Sequence, residues 1–351
     1  ICNDTAGFTD MDKAVAHLNT LAGTDKKVRI IGDYDIDGVC STAILYKGLT
    51  AFGLSVDYAI PHRVTDGYGI NVQLVEKAYE DGIHTIITCD NGITAFEALE
   101  RAAELGMMVI VTDHHDIRTE IKEGAETEKM PLAYALINPK RKDNQREFTE
   151  ICGAYVAYKL IAHMNNAKVL SKALEEELLV LAAFATVGDV MPLIKENRTL
   201  VKYGLQHIKK CCNPGLQALI NSTNLREKEI KAYSIGFVLG PCINAKGRLE
   251  SAEQSLELLL CQDEELAGRM AEELVKTNEE RKYLTEQGTR RAIDLVSNSD
   301  AEDKIIVVYL EDCHESIAGI IAGRVREHFY KPTWILTDAQ EGLKGSGRSV
   351  D

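Results

Sequence analysis

Two hydrophobic periods alternate along the first third of the chain. Short β-type apolar runs at residues 28–31, 56–60, 84–88 and 107–112 are separated by stretches at 39–52, 72–79 and 94–105 whose apolar residues recur at helical spacing. Strands alternating with helices of this length imply βαβ crossovers and a parallel sheet with helices on both faces. Residues 152–260 are mainly helical by periodicity, with Gly188-Asp189 and the segment 240–248 as interruptions. A long polar stretch at 263–297, dense in Glu, Lys and Arg and free of proline, has the pattern of a solvated connector helix. A β-type run at 304–309, a helix at 317–326 and a strand at 334–336 then open a second α/β unit. Two strand-like runs are too few for a whole domain, so that unit is expected to be incomplete. The expected organisation is a catalytic α/β unit over 1–262 with a helical subregion, a connector helix over 263–298, and the start of a second α/β domain over 299–351.

In open parallel sheets, ligands bind outside the carboxyl ends of the strands. The polar clusters of this chain fall there: Asp33, Asp35 and Asp37 after the first strand, Cys89-Asp90-Asn91-Gly92 after the third, and Asp113-His114-His115-Asp116 after the fourth. Far apart in sequence, they are expected to meet in space.

Three carboxylates at alternating positions repel one another, and their pKa values rise unless cations neutralise them. An EF-hand is excluded, because it needs flanking helices and a Glu at its twelfth position, where this sequence has Ile44. A solvated acidic turn is the plain alternative for these residues. Asp90 alone reads equally as a helix cap, and a His pair alone as a surface turn. Asp189, inside Ala185-Thr186-Val187-Gly188-Asp189-Val190, is an acid in an apolar setting, where acids usually have a partner. Carboxylates and imidazoles gathered at one sheet edge suit two divalent ions of the manganese or magnesium type, and suit zinc less, since no Cys stands at ligand spacing. Two such ions activate water and stabilise both oxygens of a phosphoryl displacement, so phosphoester hydrolysis is the reaction class. A dinucleotide site needs glycines where Gly32-Asp33-Tyr34-Asp35 would repel a pyrophosphate, and neither a P-loop nor a GxSxG elbow is present.

Composition changes this picture in two places. The 54 Asp and Glu against 40 Lys and Arg give a formal net charge of −14, which argues against broad coating of nucleic acid or anionic membrane but not against a local basic groove. Nine cysteines without a CxxC pair read as reduced thiols. With no apolar stretch of membrane-spanning length, the expectation is a cytoplasmic protein without membrane contact.

In their order, spacing and strand-end positions, Gly32-Asp-Tyr-Asp-Ile-Asp-Gly38, Asp90-Asn-Gly92, Asp113-His-His115 and Gly188-Asp-Val190 resemble the successive motifs of the DHH phosphoesterases. Ile60-Pro-His-Arg63, Gly67-Tyr-Gly69, Asn197-Arg198, Gly240-Pro-Cys-Ile-Asn-Ala-Lys-Gly-Arg-Leu249, Asn278-Glu-Glu-Arg281 and Lys344-Gly-Ser-Gly-Arg-Ser349 resemble the RecJ-type branch, the 5′-to-3′ single-stranded-DNA exonucleases. That resemblance implies a DHH domain joined by a connector helix to a DHH-associated domain, two manganese or magnesium ions, and a role in DNA repair and recombination. Single-stranded DNA is the implied substrate, with a single-strand-binding protein and a helicase as implied partners. It implies Asp35, Asp37, Asp90, His114 and Asp189 as ligands, Asp90 bridging, with Asp33 either a ligand or behind one. His115 is implied beside the scissile phosphate, with Asp90 and Asp113 completing the catalytic group. Arg63, Arg248, Ser346 and Arg348 are implied to hold phosphates, and for them the chemistry agrees: guanidinium offers a planar fork to phosphate, and Gly-Ser-Gly lets backbone N–H groups approach an anion. Salt bridges are the plain alternative for Arg63 and Arg248. Cys242 stands where the branch usually has Arg, the family's later Gly-Gly-His segment and following oligonucleotide-binding fold are not in the sequence, and the basic run 140–146 is either a backbone contact or a solvated loop. A DHH phosphodiesterase acting on short oligonucleotides or cyclic dinucleotides, and a non-catalytic DHH scaffold, are the alternatives.

Overall fold

The computed structural model describes residues 5, 7–122, 124–165, 168–299, 303–339 and 342–350. Its central sheet is built from β1 (Lys27–Ile31), β2 (Ser55–Ala59), β3 (Ile83–Cys89), β4 (Met108–Thr112) and β7 (Ala135–Ile137), in the order β2-β1-β3-β4-β7. All four pairings are parallel. Between β4 and β7 lies a separate antiparallel hairpin, β5 (Thr119–Lys122) and β6 (Ala125–Glu128). The edge strand β7 has only three residues, too few to show a period of two, and the sequence pattern did not predict it.

Alternation along the strands sorts the core onto two faces. Val28 and Ile30 of β1 face α1 (Met11–Leu21), α2 (Ile36–Ala51), α5 (Gly153–Met164) and α6 (Lys172–Gly188), while Ile31, Ile86 and Val111 face α3 (Val72–Glu80) and α4 (Phe96–Glu104). The helix α2 is apolar nearly all round, and twelve of its sixteen residues are buried between the sheet and α5 and α6. That burial fixes where its first turn, which carries Asp37, points.

The helical subregion continues with α7 (Lys195–His207), α8 (Pro214–Ser222), α9 (Ala232–Ser234), α10 (Gly240–Leu249) and α11 (Glu253–Leu260). One sequence expectation is corrected here: residues 240–248 are not an interruption but form α10, entered from α9 through a π-helical turn, Ile235–Leu239. The segment reads as a loop because of Gly240, Pro241 and Gly247. Pro is tolerated in a first helical turn, and Gly247 is required by packing, since a Cβ there would lie 2.3 Å from the Tyr34 carbonyl oxygen.

The polar stretch forms α12 (Glu264–Ser297), capped by the Asp263 carboxylate, which accepts from the Leu266 N–H. It is not solvated all round: Ala267, Ala271, Leu274, Asn278, Thr285, Thr289 and Ala292 form a buried stripe against its neighbours. Beyond it, β8 (Ile306–Tyr309), α13 (Glu315–Phe329), β9 (Thr333–Ala339) and β10 (Gly342–Arg348) make a three-stranded sheet of order β10-β9-β8 with its own small core of Ile306, Val308, Ile317, Ile321, Val325 and Ile335. The boundary expected near residue 300 falls next to 300–302, outside the described residues. The sequence pattern predicted two of these strands. The third, Gly-Leu-Lys-Gly-Ser-Gly-Arg, has little strand propensity of its own and takes its form from antiparallel pairing with β9. The cysteines among the described residues are free thiols, and no helix among those residues is long and apolar enough to cross a membrane.

Candidate metal centre

The carboxyl ends of β1, β3 and β4 bring the acidic motifs together, and backbone N–H groups fix several of the carboxylates. Asp35 caps α2, accepting from the N–H groups of Asp37 and Gly38. Asp37, fully buried, accepts from the Gly153 and Ala154 N–H groups at 2.6 and 2.8 Å, so the N-terminus of α5 faces a carboxylate. Only glycine fits at 153, since a Cβ there would lie 2.8 Å from that of Asp90. Asp90 adopts the left-handed conformation (φ 62°) in the turn after β3, with its own N–H bonded to the Thr112 carbonyl. Asp189 is the C-cap of α6.

His114 sits among them. Its Nε2 lies 3.1 Å from Asp90 Oδ1, 3.5 Å from Asp37 Oδ2 and 3.8 Å from Asp189 Oδ2. Three overlapping donor groups, Asp33-Asp35-Asp90, Asp37-His114-Asp189 and Asp90-His114-His115, each place their ligand atoms within 4.8 Å of one another. Asp33 joins the first group with a buried Oδ1 that has no hydrogen-bond partner. Asp113 is turned differently: it accepts from the N–H groups of Ile93, His114 and His115 and from His115 Nδ1 at 2.8 Å, so it braces the turn and aligns His115.

The electrostatics show a site short of positive charge. Burial, then Asp35, pushes Asp33 up to about 8, and burial, then Asp37, pushes Asp189 up to about 8. Burial and neighbouring carboxylates also raise Asp37 and, more strongly, Asp90. For Asp113 burial pulls upward, but the bond and charge of His115 together with the backbone N–H bonds outweigh it and hold the carboxylate low. His115 moves up, since Asp113 overcomes the opposing effect of burial. Asp33 Oδ1, Asp90 Oδ1 and His114 Nδ1 are buried without hydrogen-bond partners. Unpaired acceptors in a buried carboxylate nest, with oxygen and imidazole donors and no thiolate, fit hard divalent cations.

A second, oppositely charged site adjoins the first. Tyr34 stands between Asp33 and Asp35 in sequence, and its ring carries the Arg63 guanidinium at 3.9 Å. It shares a cavity of about 520 Å³ with Arg63, Arg248, Ser316, Ser346 and Arg348. Arg63 Nε is buried without a partner. Arg248 donates to the Ser316 carbonyl at 3.1 Å, and burial, then Arg63 and Arg281, lowers its pKa to about 10. No carboxylate pairs with Arg63, Arg248 or Arg348 among the described residues; the one acid of the lining, Glu315, pairs with Lys344 at 2.8 Å. The structure therefore brings together all four residues for which phosphate contacts were expected. A larger cavity, about 710 Å³, lies between α8 and α12 and contains none of the motif residues.

Two residues of these sites were given no role in the sequence reading, Tyr68 although its motif was noted there. The Tyr68 hydroxyl donates to the Asp90 carbonyl at 2.8 Å and lies 3.3 Å from both His115 ring nitrogens; its flanking glycines, in Gly67-Tyr68-Gly69, were the available signal. Ser316 bonds Arg248 in both directions, its hydroxyl donating to the Arg248 carbonyl at 2.6 Å, and carried no local signal. Cys242 lies buried between α10 and α12, accepting from Asn278 Nδ2, while Arg281 donates to the Asn278 Oδ1. In the basic run, Arg141 and Lys140 are engaged with Asp10, Asp143 and Asp116.

Residues 27–186 match the family model described as the DHH family, N-terminal domain. A crystal structure of exonuclease RecJ bound to manganese superposes with a TM-score of 0.85 at 32% identity, covering 99% of this chain and 84% of that one. The chain belongs to the RecJ branch of the DHH family. Among curated relatives of that branch, the single-stranded-DNA-specific exonuclease RecJ of Bacillus subtilis (strain 168) is 34% identical over 97% of this chain, and that of Escherichia coli (strain K12) 34% over 98%. The chain spans 42% and 61% of the lengths of those two proteins. The nest residues other than Asp189 lie within the matched region, as do Tyr34 and Arg63, while Arg248, Ser316, Ser346 and Arg348 of the cationic cavity come from α10, α13 and β10.

Proposed function

We propose that this chain carries the active centre of a 5′-to-3′ exonuclease that hydrolyses single-stranded DNA with two manganese or magnesium ions, in DNA repair and recombination. One observation carries the reading: a cation-poor carboxylate nest adjoins an anion-poor arginine cavity, since Tyr34, which lines the cavity under Arg63, stands between the nest residues Asp33 and Asp35. A terminal phosphate held by Arg63, Arg248, Ser346 and Arg348 would set the next phosphodiester against the nest, and anchoring by the end is what makes a nuclease act one nucleotide at a time.

Asp35, Asp37, Asp90, His114 and Asp189 hold the ions, with Asp33 a further donor whose buried Oδ1 is free. When bound, the ions supply water activation and neutralise charge developing on the phosphate. The protein's own part is positioning. The α5 N-terminus fixes Asp37, and Asp113 fixes His115 so that Nδ1 donates to the carboxylate and Nε2 is left to offer a proton to a phosphate oxygen. Tyr68 borders His115 and braces Asp90 through its carbonyl. The free thiols fit a cytoplasmic location, and a single-strand-binding protein and a helicase are the partner classes this activity would bring. The test is digestion of a 5′-phosphorylated single strand with manganese: mononucleotides released stepwise by the wild type and not by Asp90→Ala support the reading. Faster turnover of dinucleotides than of long strands would favour the small-substrate alternative, and no release with no manganese binding the scaffold.

A further inference from the structure

Outside both sites, one exposed feature has the form of a nucleobase platform. Tyr233 and Phe237 are 69% and 66% exposed, yet their rings stack on each other with centroids 4.7 Å apart and planes 22° apart. Large apolar rings that stay in water rather than join the core, in a parallel pair, present a flat π-face.

Their mounting ties them to the active centre. Tyr233 lies in α9 and Phe237 within the π-helical turn that runs directly into α10. Tyr233, Phe237, Pro241, Asn244 and Arg248 follow one another at spacings of four, four, three and four, close to one turn of the π-helical and α-helical segments that carry them. The stripe's other members are placed by the structure. Arg248 lines the cationic cavity, and the Asn244 Oδ1 accepts from the Ile36 N–H at 2.7 Å, between the nest residues Asp35 and Asp37. The π-helical turn itself packs on the end of α6, where a Cβ at Gly236 would lie 4.0 Å from Val187 Cγ1, two residues before Asp189. From Arg248 to Phe237 the helix rises roughly 16 Å at ~1.5 Å per residue, at most about five nucleotides of a stacked strand at ~3.4 Å each. π-Helical turns are uncommon and often occur at functional sites.

We infer that Tyr233 and Phe237 are a stacking platform for the bases of the bound single strand, a few nucleotides in from its anchored end, so that the enzyme grips bases as well as phosphates. The occupant is a nucleobase because the platform continues the strip that holds the phosphate, and because base–aromatic stacking recognises single strands without regard to sequence. The inference rests on the nuclease reading above.

The test compares kcat/KM for a 5′-phosphorylated ten-nucleotide thymidine strand with that for the same strand carrying abasic sugars at positions three to six. The wild type should prefer the base-bearing strand by about tenfold or more, mainly through KM, and Tyr233→Ala/Phe237→Ala should lose that preference. Tyr233→Leu/Phe237→Leu, which keeps apolar bulk without π-faces, should lose it too and guards against a folding defect. A wild type that digests neither strand overturns the nuclease reading. A wild type that digests both equally, or a leucine variant with undiminished preference, overturns the platform alone and leaves the rings as a contact for a protein partner or a second copy of the chain.

Discussion

The two adjoining sites are opposite in charge and also in how they are assembled. The carboxylate nest is contributed by turns at the ends of three neighbouring strands together with the C-cap of one helix; Asp33, Asp37, Asp90 and Asp113 are deeply buried, and Asp35, Asp37 and Asp113 accept from backbone N–H groups. The arginine cavity is gathered from the loop after β2, the end of α10, the start of α13 and the edge strand β10, with several of its groups open to solvent. Each lacks its counter-charge: the nest's carboxylates are pushed up by burial and by one another, and the cavity's one acid, Glu315, is taken by Lys344. A buried site with a charge deficit is held by covalent neighbours and backbone, because its members repel one another before the ion arrives. A cavity of long, flexible guanidinium side chains tolerates assembly from distant segments.

The first way to sharpen this comparison is to delete one member of each site. Asp90→Ala should abolish nuclease turnover by about 10³-fold or more, a loss in kcat that added manganese does not restore, since Asp90 belongs to two of the donor groups. Arg348→Ala should act more mildly and on KM, raising it about 10–100-fold for 5′-phosphorylated strands while leaving 5′-hydroxyl strands almost unaffected, as measured by steady-state kinetics on both. Equal effects of the two substitutions on kcat would erase the distinction between the sites.

Asp113→Asn probes the bracing of the nest rather than its ligands. A neutral amide at 113 loses the charge that raises His115, so turnover should fall by about 10–100-fold while calorimetry still shows manganese bound. The smallest effect is on stability. Asp33 and Asp189, each raised to about 8 in the fold from an ordinary value of 3.8, are protonated at low pH in the native state, and that stabilising protonation is lost as pH rises through about 8. The metal-free protein should therefore melt a few degrees lower at pH 8 than at pH 5. Manganese at about a hundred times its dissociation constant should reverse the loss by about 2.7 kcal/mol. A midpoint that rises with pH in chelator would show that the nest is not short of cations.

The nest was far more legible in the sequence than the cavity, for the same reason that separates them physically. Asp33, Asp35, Asp37, Asp90, Asp113, His114 and His115 each follow an apolar run that reads as a strand, so strand-end geometry alone predicts their meeting. Arg63, Arg248, Ser346 and Arg348 stand in segments with no shared period, and only resemblance to a family suggested that they converge. What local pattern missed was imposed by tertiary contact. The strand β7 is three residues long, β10 is glycine-rich and ordered by β9, and α10 hides behind Gly240, Pro241 and Gly247, where close approach of Tyr34 requires glycine. The connector α12 reads as polar because its buried stripe is made largely of Ala and Thr.

The central claim is that nest and cavity act on one strand across Tyr34. A crystal structure with manganese and a 5′-phosphorylated, phosphorothioate-blocked trinucleotide tests it directly. The account predicts two ions among Asp33, Asp35, Asp37, Asp90, His114 and Asp189, the terminal phosphate on Arg63, Arg248, Ser346 and Arg348, and the next phosphodiester over the ions. A terminal phosphate bound away from these arginines, or a strand whose first phosphodiester lies outside the nest, would contradict it.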